Sequence, residues 1–223
     1  MMVELIPALE IGFHNHLVPA PSKFPSWDYP AEWDAYAAQS HREAGFPDPL
    51  QPFTPGLFFY RASDITLGNL RKLTASHLEG YFAGDYDLLG LCSFFGGYVL
   101  RVDDHNALFP QCCGELSDII YWKYLAKYGR PAYYQGHPAP QVSFTAEEVV
   151  FTCLDDDKPF GMPTQPKIRV NKLALSAAYD QALLELAVFA RKVEQVQQEL
   201  NLPVDNIAHL LVYRNVELPG EQP

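Results

Sequence analysis

Basic residues are scarce in this chain. Its 223 residues carry 16 Lys and Arg against 27 Asp and Glu, a formal net charge of −11. No run of Lys or Arg exceeds two residues, so the stripe that neutralises nucleic-acid phosphates is missing and no nucleic-acid partner is expected. Charged residues of both signs make up 19% of the chain, against roughly 25% in an average domain. Apolar residues reach 48%, which excludes a wholly disordered chain.

Long apolar runs are missing too. No uninterrupted apolar stretch approaches the roughly 18 residues a bilayer requires, so no membrane-spanning helix is expected. The opening Met1-Met2-Val3-Glu4-Leu5-Ile6-Pro7 has no basic residue, and Glu4, Pro7 and Glu10 break its apolar character, so no secretory signal is expected. Cysteine is sparse and unpatterned: Cys92, Cys112, Cys113 and Cys153 contain no Cys-x2-Cys spacing. A chain this long buries enough core without disulfides, so free thiols in a reducing cytoplasm are the expectation.

Familiar catalytic spacings are absent as well. There is no Gly-x-Ser-x-Gly elbow and no His-Glu-x-x-His. Gly96-Gly97 is followed by neither a phosphate-loop lysine nor a dinucleotide fingerprint, and Asp155-Asp156-Asp157 lacks the glycine and distal glutamate of a calcium loop. No cofactor is expected.

What the chain does have is aromatic bulk: 14 Phe, 13 Tyr and 3 Trp. Nine of its 19 prolines fall in the first 60 residues, which read as an ordered arm broken by one helix. That helix runs from Pro30 to Ala44, with proline in its first turn and Gly45, Pro47 and Pro49 as its stop. Ile6 to Val18 reads as extended, and Asp64 to Phe82 as a helix capped by Ser63 or Asp64. Leu88 to Leu100 reads as a buried strand bent at Gly96-Gly97, followed by a turn at Asp103-Asp104-His105-Asn106 and a returning strand. A helix follows from Ser117 to Tyr128. Gln141–Phe144 and Val149–Leu154 read as two further strands that end in an Asp155–Pro159 turn.

The clearest periodicity is C-terminal. Tyr179, Leu186, Val193 and Leu200 recur every seven residues, with Ala182, Phe189 and Val196 three after the first three. One reading packs this long helix on the sheet. The other makes Tyr179, Leu186, Phe189, Val193 and Leu200 the seam of a homodimer. The predicted fold class is α+β: an antiparallel sheet from the middle of the chain, flanking helices and a long C-terminal helix. Residues 1–170 form the α+β domain, 171–214 the helical segment packed on it, and 215–223 a solvated tail.

Three clusters are candidates for chemistry or binding. Cys112 and Cys113 precede a helix, where exposed N–H groups favour a thiolate, and His105 across the hairpin is a candidate base. His14 and His16 lie two apart, on one face of an extended segment, and are candidate metal ligands. Trp27 and Tyr29, with Tyr133, Tyr134 and His137, place aromatic and imidazole groups in loops, as interface anchors require. The expected function is a cytoplasmic, non-enzymatic module that binds another protein, a basic one being the natural fit to its charge, as an acidic inhibitor or immunity-type protein would. A small cysteine- or metal-dependent hydrolase is the alternative.

Overall fold

The structure is a computed structural model that describes residues 1–12, 17–154, 160 and 164–214. The first strand, β1 (Val3–Glu10), is central to a four-stranded antiparallel sheet. Its neighbours are β2 (Phe59–Arg61) on one side and β3 (Gly96–Val102) on the other, with β4 (His105–Leu108) beyond β3. A second antiparallel sheet is the meander β5 (Gln141–Phe144), β6 (Glu148–Thr152) and β7 (Lys167–Asn171). The helices are α1 (Pro30–Glu43), α2 (Leu67–His77), α3 (Glu79–Ala83), α4 (Ile119–Lys123) and α5 (Lys172–Leu200). This is the α+β architecture expected from the sequence.

Both faces of β1 are covered. Leu5 and Leu9 join the main core beneath α5, while Ile6 and Ala8 meet Val99, Leu57 and Phe109 on the opposite face. A proline inside a central strand should cost a ladder hydrogen bond. Here it does not. Glu10 N donates to Phe95 O, so the amides of Ile6, Ala8 and Glu10 face β3 and position 7 faces the other way. On that side β2 ends at the Ala8–Arg61 pair, one residue short of Pro7.

Helix α5 lies across β1 and against α2. Asn171 caps it, its side-chain oxygen accepting Leu173 N and Ala174 N. By length and composition α5 could cross a membrane, with a mean hydropathy of 1.3 over its most apolar window. Nine of its residues, from Leu175 to Val196, are nevertheless buried in the protein core. The proposed dimer seam is therefore corrected: Tyr179, Leu186, Phe189 and Val193 are all buried within the chain's own core, and only Leu200 is exposed.

Several local boundaries differ from the sequence expectation. The predicted 64–82 helix breaks at Leu78 into α2 and α3, and Thr66 is its cap, Oγ1 accepting Asn69 N at 3.1 Å. A Cβ at Gly68 would sit 2.8 Å from Asp48 Oδ2 and 2.9 Å from Pro47 Cγ, which explains a glycine inside the helix. Residues 88–95 are not a strand; β3 begins only at Gly96. The 117–128 helix is α4, entered by a short turn at Leu116–Asp118 and left through a π-helical turn, Tyr124–Tyr128, that ends at left-handed Gly129. The predicted hairpin is present: Asp103 and Asp104 both take positive φ, the two-residue turn that matches strand twist, and Val102 pairs with His105. His14 and His16, the Asp155–Pro159 turn and the 215–223 tail lie outside the described residues.

Candidate functional site

The thiol–imidazole pair expected from sequence does not form. Gly114 O accepts Gly96 N at the start of β3, whereas His105 pairs with Val102 at the strand's far end. Six residues at ~3.3 Å each separate the two by roughly 20 Å. The histidine whose backbone meets the thiol segment is instead His137, whose main-chain N–H donates to Cys112 O at 3.0 Å across an isolated bridge. Cys112 Sγ and Cys113 Sγ lie 3.4 Å apart, and both residues are exposed. Cys113 gains its proton more readily than a free thiol, first because it is hydrogen-bonded to Cys112 and next through burial.

The aromatic candidates divide. Trp27 and Tyr29 are partly exposed on the turn around Ser26–Asp28, where Phe24 stacks on Trp33 at 4.9 Å and Lys23 lies over Tyr29. Tyr133 is exposed at the wall of a cleft of about 650 Å³ that also contains Asp118, Arg130 and Gln135. Tyr134 is corrected from a partner contact to a core residue: it is buried, its ring 4.9 Å from that of Tyr121. His137 is exposed. Among the described residues no ring contact or hydrogen bond joins the Trp27–Tyr29 surface to the Tyr133 surface.

A different cleft, also about 650 Å³, concentrates ionisable groups. Its walls come from the end of β1 (Glu10, Ile11), from α2 (Lys72, Ser76, His77), from Glu79 of α3, and from the loop bearing Tyr86, Gly90, Leu91, Cys92 and Phe95. Burial raises the pKa of Glu10 and lowers that of His77. His77 Nε2 lies 2.9 Å from Cys92 O. A carbonyl only accepts, so Nε2 carries the proton and Nδ1 is left as an acceptor. The His77 ring is also held between Phe94 and Phe95, with centroids 5.1 and 5.7 Å away.

Behind this cleft sits a buried polar network. Glu115 Oε2 accepts Ser93 N at 3.1 Å, Ser93 Oγ at 2.8 Å and Ser117 Oγ at 3.2 Å, and Glu115 Oε1 accepts Gln135 Nε2 at 2.6 Å. Glu115 N in turn donates to Asp118 Oδ2, the two residues forming a capping box ahead of α4. Burial pushes Asp118 up to about 6. Burial first, and the neighbouring Glu115 next, also push the Cys92 thiol up. Cys153 is raised by burial to about 11. A thiol nucleophile requires the opposite shift.

Gly96 is what lets these elements meet. It takes φ +134°, and a Cβ there would stand 2.1 Å from Ala8 O. Among the described residues no three His, Cys, Asp or Glu side chains converge as a metal site. No family model, characterised protein or solved structure matches the chain.

The segment that contributes Tyr86 and Phe95 to the His77 cleft exposes large apolar side chains. Phe82, Tyr86, Leu88, Leu89 and Phe95 are all exposed, Leu89 to 85%. All five belong to the stretch from α3 to β3, of which Tyr86 and Phe95 line the cleft itself. Asp87 shapes this wall, its Oδ1 accepting Leu89 N and Gly90 N, and Arg214 donates to Leu89 O. Loop position and sequence separation hid this surface: its residues run from Glu10 to Phe95. A signal was nonetheless present, because Tyr86, Leu88 and Leu89 are large apolar residues interleaved with or beside the acids Asp85 and Asp87.

Proposed function

We propose that this chain is a non-catalytic binding protein whose recognition site is the cleft between Glu10, α2 and the 84–95 segment. Its occupant is a segment of another protein that inserts a Lys or Arg side chain toward Glu10 and lays apolar side chains on Leu88, Leu89 and Phe95. The observation that carries this reading is the run of exposed large apolar residues in the segment that lends Tyr86 and Phe95 to a cleft with a carboxyl group in its wall. Soluble monomers rarely leave so many together without a partner. Glu79 lines the same cleft, Asp85 and Asp87 lie in the segment that contributes Tyr86 to it, and a net charge of −11 steers a basic partner toward it. Raised thiol pKa values support binding over thiol catalysis. An acidic inhibitor that covers a basic partner is the class that fits, acting in a reducing cytoplasm.

The test is selection of random displayed peptides on the folded protein, with a Glu10→Lys, Leu89→Asp double variant as counter-selection. The reading expects peptides carrying one Lys or Arg flanked by apolar residues, bound by the native chain and not by the variant, with affinity falling as salt rises. Enrichment of acidic or basic-free peptides, or equal enrichment on the variant, overturns it.

A further inference from the structure

The two adjacent thiols form a feature that the binding reading does not use. Cys112 and Cys113 occupy the middle of a turn closed by Gly114 N donating to Gln111 O at 3.0 Å. Cys113 holds φ +69°, a conformation that glycine adopts readily and other residues adopt at a cost of about 1 kcal/mol. That turn, together with the bridge to His137, brings the two sulfur atoms to 3.4 Å in the open, while Cys92 and Cys153 are less accessible. Neighbouring residues have Cα atoms ~3.8 Å apart, shorter than the roughly 4.4–6.8 Å that disulfides span at ease. A disulfide between them is consequently strained and readily reduced, which suits a reversible switch and not a staple.

We propose that Cys112 and Cys113 are a redox-responsive vicinal dithiol that closes to an eight-membered disulfide ring by exchange with a small-molecule disulfide such as glutathione disulfide. The Cys112 sulfur, as thiolate, attacks one sulfur of the small disulfide, and the displaced thiolate takes up the proton that Cys112 gave. The Cys113 sulfur then loses its proton and attacks Cys112 Sγ in the mixed disulfide, expelling the second small thiol. Two protein thiols are oxidised to one disulfide, and one small disulfide is reduced to two thiols. The dithiol turn is tied to the segment that carries Phe95 into the recognition cleft, since Gly114 O holds Gly96 N and Phe95 pairs with Glu115, but the proposal stands on the thiol geometry and not on the binding reading.

The experiment incubates the native chain with glutathione disulfide and reads intact mass, followed by digestion without reduction. Cys112→Ser and Cys113→Ser are run beside it. The native chain is expected to lose two hydrogens and retain no glutathione. Its linkage should map to the peptide bearing both residues and reverse with dithiothreitol. Each single variant is expected to stop at a stable glutathione adduct on the remaining cysteine. A lasting adduct on the native chain, a linkage to Cys92 or Cys153, or no reaction under conditions that modify either single variant overturns the proposal. So does the absence of reaction in all three chains.

Discussion

Ser93 Oγ donates to Glu115 Oε2 at 2.8 Å inside the protein, both residues being almost wholly buried. The same carboxyl oxygen takes Ser93 N and Ser117 Oγ, so a single side chain ties the segment before β3 to the entrance of α4. Removing it orphans several buried donors at once, at about 1–3 kcal/mol each. Glu115→Ala is expected to lower the urea midpoint by an amount equivalent to about 3 kcal/mol or more. Glu115→Gln, which keeps the shape and part of the acceptor capacity, should lose less. Equal midpoints for native and Glu115→Ala chains contradict this account.

Asp118 supplies a pH dependence. Its folded pKa of about 6 exceeds the ordinary value of 3.8 because the carboxyl is buried. The folded state therefore binds the proton more tightly. The stabilisation is full below about pH 4 and is lost as pH rises through about 6, at up to about 3 kcal/mol. His77 and His41, both lowered by burial, act oppositely: their contribution is lost as pH falls below the ordinary value of 6.5. The stability difference between the native chain and Asp118→Asn isolates the carboxyl. Measured by urea titration at several pH values, that difference should shift in favour of the variant between pH 4 and 6, and a flat difference contradicts the burial.

The periodic residues of α5 are core residues, so Leu186→Ala should cost about 2–5 kcal/mol. The loss should not vary with protein concentration, as it would for a dimer seam. Leu184→Ala, on the exposed face of the same helix, should change stability by no more than about 0.5 kcal/mol. Thermal unfolding over a hundredfold range of concentration checks both.

Gly96→Ala should be among the most damaging single changes, because the new methyl group meets Ala8 O across the central pair of strands at a positive φ. A loss of more than about 3 kcal/mol, or failure to fold, is expected. Gly12→Ala, with nothing within 4 Å, is the control and should fold normally. Circular dichroism and denaturant titration separate the two.

What the sequence reveals depends on where a pattern's partners lie. The α5 stripe and the Asp103-Asp104 hairpin are legible because each is local, though the stripe alone does not say whether it faces a sheet or a second chain. β7 is legible in principle: Ile168 and Val170 alternate with Lys167 and Arg169, and both apolar residues are buried. β2 is not, because three residues hold too little period to distinguish a strand from the proline-rich loops around it. Glu115 looks like an ordinary loop acid until Ser93, Ser117 and Gln135 arrive around it from three separate segments. The cleft depends on the end of β1 and one face of α2 coming to the same hollow, and no spacing along the chain reports that. The loop composition around His137 suggests recognition, and it says nothing of the backbone bridge to Cys112, which is set by the loop's course across the fold.

The measurement closest to the central claim is an amide NMR titration of the native protein with a basic, apolar peptide obtained by the display selection. The account predicts shifts centred on Glu10, Ser76, Glu79, Leu89, Cys92 and Phe95, greatly weakened in Glu10→Lys. Shifts centred on Phe24–Tyr29 or on Tyr128–Tyr133, with the cleft undisturbed, contradict it.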